Sequence, residues 1–126
     1  MPKKVLAVED NKTNMVLISR IVEAEGHALL QAEDGPSALD LLEVELPDII
    51  LLDINIPGIH GLDIARRIKT DDRLWHIPII ATTANVLIGD KERCLEAGCD
   101  DYLPKPLDIR RLRELIRQYL GNGTAD

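Results

Sequence analysis

Pro47-Asp48-Ile49-Ile50-Leu51-Leu52-Asp53 decides the architecture, together with the segment Ile54-Asn55-Ile56-Pro57-Gly58-Ile59-His60-Gly61 that follows it. Four consecutive branched apolar residues read as a strand buried on both faces, as in a parallel sheet covered by helices on either side. The strand ends on a charge, Asp53. Pro57, Gly58 and Gly61 mark the continuation as a loop, which sets the carboxylate at the carboxyl edge of the sheet. In open α/β sheets that edge is where ligands bind. Taken alone, Asp53 is a turn cap; its meaning depends on what ends the other strands.

Working outward, Lys4 to Val8 is a second apolar run and ends on Glu9-Asp10. Asn11 is a good N-cap for a helix with Met15, Ile18, Ile21 and Val22 at helical spacing, closed by Gly26. His27 to Ala32 reads as a short strand, and Asp34-Gly35-Pro36 as a turn that starts a helix through Ala38, Leu41 and Leu42. Gly61 to Lys69 forms the third helix, with Ile64, Ala65 and Ile68 inward. Thr70 to His76 is polar and loop-like. Ile77 to Thr82 is the fourth strand, ending at Thr83. Ile88 to Ala97 is a helix closed by Gly98, and Asp101-Tyr102-Leu103 a short strand stopped by Pro104-Lys105-Pro106. A proline there is tolerable only at a sheet edge, so this strand lies last. Asp108 caps a final helix with Ile109, Leu112, Leu115, Ile116 and Tyr119 inward and Arg110, Arg111, Arg113 and Arg117 outward, a solvated face. Residues 121–126 read as a flexible tail on a domain of residues 1–120. Five βα units in strict alternation give an α/β fold, an open five-stranded parallel sheet with helices on both faces. Alternation does not fix the strand order.

The bulk properties agree. The 126 residues, 45% apolar and 29% charged, suit one globular domain. A net charge of −7 argues against nucleic-acid binding. No segment reads as a signal peptide or membrane span, and the expected location is cytoplasmic. Cys94 and Cys99 have no metal-ligand spacing around them and read as packing residues. His27, His60 and His76 are scattered, and read as surface or packing residues.

In a parallel sheet the strand ends share one edge. Glu9-Asp10, Asp53, Thr83 and Lys105 would converge there. Three acids so close repel one another unless a cation intervenes. Hard carboxylate oxygens without His or thiolate favour Mg²⁺, and a lysine beside them suits a phosphoryl group. The inferred chemistry is Mg²⁺-assisted phosphoryl transfer onto Asp53.

The chain resembles the receiver domain of two-component response regulators over essentially its whole length. The matching residues are Glu9-Asp10, Asp53 in Leu-Leu-Asp-Ile-Asn-Ile-Pro-Gly, Thr83 in Ala-Thr-Thr-Ala, Tyr102 and Lys105-Pro106, in order and at fitting separations. The resemblance implies a flavodoxin-like strand order 2-1-3-4-5. It implies Asp10 and Asp53 as direct Mg²⁺ ligands, Glu9 acting through water, Asn55 offering its backbone carbonyl, and Lys105 on the phosphoryl oxygens. It implies a cis peptide at Lys105-Pro106, and Thr83 and Tyr102 as a phosphorylation-driven switch. Asn55 and Asn85 would flank the attacking water and tune acyl-phosphate hydrolysis. The expected partners are a histidine kinase or histidine phosphotransfer protein, and a downstream protein met by the fourth helix, fifth strand and fifth helix. The chain's start and end look closer to DivK-like and hybrid-kinase receivers than to chemotaxis receivers. With Met1 directly before the first strand and only a tail after the fifth helix, the expectation is a stand-alone receiver; the alternative is a receiver cut from a hybrid kinase. An aspartyl-nucleophile phosphatase would want an acid where Asn55 stands. A flavin carrier would need a phosphate-cradling loop where Glu9-Asp10 stand.

Overall fold

The computed structural model describes residues 2–56, 60–84 and 90–121. Strands β1 (Lys4–Val8), β2 (Ala28–Ala32), β3 (Ile49–Asp53), β4 (Ile79–Thr83) and β5 (Asp101–Pro104) alternate with α1 (Lys12–Ala24), α2 (Gly35–Val44), α3 (Gly61–Lys69), α4 (Asp90–Glu96) and α5 (Ile109–Leu120). The five strands form one parallel sheet in the order β2-β1-β3-β4-β5. Both the alternation and the strand order match the expectation.

The period-2 alternation of β3 divides the core into two layers. Ile50 and Leu52 pack with Leu6, Val8 and Ala81 beneath α2, α3 and α4. Ile49 and Leu51 pack with Val5, Ala7, Ile80 and Leu103 beneath α1 and α5. A strand covered on both sides has no solvent face, so every residue of β3 and β4 is buried, Asp53 and Thr83 included.

Side-chain caps start α1, α2 and α5: Asn11 accepts from Asn14 N, Asp34 from Ser37 N, and Asp108 from the N–H groups of Arg110 and Arg111. At Gly61 a methyl group would run into the Ile54 backbone, so only glycine lets α3 begin this close behind Asp53.

Several details differ from the sequence reading. β2 begins at Ala28 and β4 at Ile79, because His27 and Ile77 serve as packed lead-ins, both buried. Pro104 lies within β5 as its last residue, on the sheet's outer strand, where a missing N–H costs no ladder bond. Ile109 is 48% exposed: it opens α5, before the helix has turned onto the sheet. The arginines of α5 are not a uniform solvated face. Arg117 pairs with Glu25 through Nε–Oε1 (2.5 Å) and Nη2–Oε2 (3.1 Å), and Arg113 Nε approaches Glu25 Oε2 at 3.7 Å. Glu25, the α1 C-cap residue, is 3% exposed. His27 is equally a tie: Lys3 N–H donates to its Nδ1 (3.0 Å), so Nε2–H donates to Gly121 O (3.1 Å). The loop at Pro57 and Gly58, Asn85, the proposed helix start at Ile88 and tail residues 122–126 lie outside the described residues.

Candidate functional site at the carboxyl edge of the sheet

β1, β3 and β5 release their chains at the same edge, and three carboxylates gather there. One oxygen from each of Glu9, Asp10 and Asp53 lies within 4.8 Å of the others. Glu9 and Asp53 are each 2% exposed, while Asp10 faces solvent. Lys105 reaches in from beyond β5, and its Nζ lies 2.7 Å from Asp53 Oδ2 and 3.0 Å from Glu9 Oε1. The Lys105–Pro106 peptide is cis.

The Glu9 and Asp53 carboxylates are oriented by short-range bonds as well. Asn11 N–H donates to Glu9 Oε2 (3.1 Å), and Asn14 Nδ2 donates to Glu9 Oε1 (3.4 Å). Asn55 N–H donates to Asp53 Oδ1 (2.9 Å), and Asn55 Nδ2 donates to Thr83 Oγ1 (3.2 Å). Thr83 sits one residue past the Asp53–Thr82 register pair, and its carbonyl accepts from Lys105 N (2.8 Å). Tyr102, opposite Ala81 in β4, is half-buried against the α2–α3–α4 layer.

Burial raises the Glu9 carboxyl above its ordinary range, and the Asp53 charge adds to this, against the hydrogen bonds from Lys105 and Asn11. For Lys105, burial works to release the proton, but the hydrogen bonds to Asp53 and Glu9 outweigh it and leave the ammonium raised. One ammonium cannot balance three acids. The donor set of Glu9, Asp10 and Asp53 is oxygen only, hard and anionic, and fits a divalent cation such as Mg²⁺. Thus Glu9, Asp10, Asp53, Asn55, Thr83 and Lys105 come together, with Tyr102 in the layer behind them. Two contacts were not legible beforehand: the Asn55 side chain on Thr83, and Asn14 on Glu9, for which the Asn-x-x-Asn spacing after the acidic pair was the available signal.

The family model of the response regulator receiver domain matches residues 5–117. A polar-differentiation response regulator DivK from Brucella anthropi is 44% identical over 123 residues, covering 98% of this chain and all of the relative. Among solved structures, the receiver domain of the sensor histidine kinase PA1611 from Pseudomonas aeruginosa PAO1, described with a magnesium ion coordinated in its active site cleft, superposes with a TM-score of 0.86 at 35% identity, covering 96% of this chain and 99% of that one. The chemotaxis response regulator CheY4 of Vibrio cholerae gives 0.88 at 24% identity, covering 95% and all of that chain, a likeness of fold.

Proposed function

The chain belongs to the response regulator receiver family of two-component signalling, and from that premise we propose that Asp53 accepts a phosphoryl group from a histidine kinase or histidine phosphotransfer protein in a Mg²⁺-dependent reaction. The observation that carries this reading is the Lys105 ammonium seated on the Asp53 carboxylate beside two further acids. An Asp53 oxygen forms the new P–O bond as the P–N bond to the donor imidazole breaks; the imidazole leaves with the electron pair and takes up a proton. Lys105 moves from carboxylate to phosphoryl oxygens, where a fixed ammonium offsets developing charge. Asp10, Asp53, Glu9 and the Asn55 carbonyl would hold Mg²⁺, which would supply the remaining neutralisation. Burial of Asp53 restricts which donor reaches it.

The output is a change of packing. A phosphoryl group adds charge and acceptor oxygens at Asp53. The Thr83 hydroxyl donates to one of them, and Tyr102 moves into the space that Thr83 leaves. That remodels the surface of α4, β5 and α5, which engages a downstream protein. A coupling of roughly 1–3 kcal/mol biases such a population without locking it. The protein is a switch whose chemistry is confined to its own phosphorylation and dephosphorylation, and its place is the cytoplasm, where such kinases present phosphohistidine. No helix among the described residues is long and apolar enough to cross a membrane.

Phosphate-affinity electrophoresis after incubation with acetyl phosphate tests this. A retarded band is expected with Mg²⁺ and not with excess chelator. Retardation that ignores the metal would refute the metal-dependent mechanism.

A further inference from the structure

Four hydrogen bonds join Asp53, Asn55, Thr83 and Lys105 in a closed circuit. Asn55 N–H donates to Asp53 Oδ1 (2.9 Å), Asn55 Nδ2 to Thr83 Oγ1 (3.2 Å), Lys105 N–H to Thr83 O (2.8 Å), and Lys105 Nζ to Asp53 Oδ2 (2.7 Å). Both oxygens of Asp53 are thereby tied to the end of β4, one through the lysine and the other through the asparagine. On the Asn55 side the tie runs from backbone amide to side-chain amide of a single residue, and it ends on the hydroxyl rather than the backbone of Thr83. Asn55 itself is exposed, so this bond does not follow from core packing.

We propose that the Asn55 carboxamide is a resting-state latch on Thr83, a positioning residue that sets how much of the switched form exists before any phosphoryl group arrives. This rests on the switch reading above, and is distinct from a role of Asn55 in hydrolysis. A phosphoryl group on Asp53 opens the circuit from both sides: it changes the acceptor that orients the Asn55 amide, and its oxygens draw the Thr83 hydroxyl toward themselves. The latch bond is present in one state and broken in the other. Such differential contact is what shifts a two-state equilibrium. Removing one ordinary hydrogen bond from the resting state should raise the switched fraction roughly two- to tenfold.

Amide-resolved NMR of the full chain tests the latch. Wild type with Mg²⁺, free and saturated with beryllium fluoride as the phosphoryl mimic, supplies the two end points for Thr83, Tyr102 and the α5 amides. Unliganded Asn55→Ala, and Asn55→Leu with similar bulk and no donor, should both be displaced along the line from free to mimic-bound. In a Thr83→Val background Asn55→Ala should add nothing. Coincidence of the unliganded variants with wild type, displacement off that line, or an undiminished effect in Thr83→Val would overturn the latch. Absence of any mimic-dependent displacement in wild type would instead overturn the functional reading, and the latch with it.

Discussion

Glu9 carries the conflict on which the site depends. It is 2% exposed, beside Asp53, and its carboxyl is raised by burial. A carboxyl raised in the folded chain favours folding fully below the ordinary carboxylate range, and that contribution is lost as pH rises through the raised value. At pH 7 and without metal, ionised Glu9 therefore costs stability. Glu9→Gln should melt higher than wild type at pH 7 without Mg²⁺, a difference that shrinks as pH falls through the raised value and is gone below the ordinary carboxylate range. It should also bind Mg²⁺ roughly 10–100-fold more weakly, as loss of a residue supporting a metal site does. Thermal melts across pH and a Mg²⁺ titration check both, and a metal-free variant less stable than wild type at pH 7 would contradict the reading. Asn55→Ala makes a separate case. It should change the lifetime of the phosphorylated protein, by up to about tenfold, more than it changes Mg²⁺ affinity, because the backbone carbonyl survives the substitution and the positioned amide does not. An unaltered decay rate would count against that role.

Among the elements, α5 departs most from what its residues announce. Its apolar stripe of Leu112, Leu115 and Ile116 is legible as 3.6-residue periodicity, and Asp108 is legible as a cap. The destination of Arg117 is not, because its partner Glu25 lies 92 positions away and is buried by the meeting of α1 and α5. The Arg117 hydrogen bond holds the Glu25 carboxyl below its usual range, against the effect of burial. A depressed carboxyl stabilises the fold above the ordinary carboxylate range, and the contribution is lost as pH falls through the folded value. Glu25→Gln should therefore melt below wild type at pH 7, with the gap closing in strongly acidic solution. A gap independent of pH would point to packing in place of the ion pair. The strand ends were the legible part of the site: each polar residue alone reads as a cap, but several ending successive parallel strands share one sheet edge. The Asn55–Thr83 bond was not legible, because it depends on how two loops meet.

At the scale of the molecule, alternation of strands and helices was enough to specify a parallel sheet with two covered faces. Apart from the proline that marks β5 as an edge strand, strand order was not contained in any local pattern, and the resemblance supplied it. The order matters because β1 and β4 flank β3 and β5 follows β4, which brings residues from positions 9, 53, 83 and 105 to one edge. A different order of the same strands would keep the core and scatter the site. On the proposed function, this convergence singles out the Asp53 carboxylate, among the 22 acidic side chains of the chain, as the one that accepts phosphoryl. Intact-mass analysis after incubation with Mg²⁺ and a small phosphodonor, on wild type and Asp53→Asn, tests it most directly. Wild type should gain the mass of one phosphoryl group and Asp53→Asn none; a gain in both, or in neither, would contradict it.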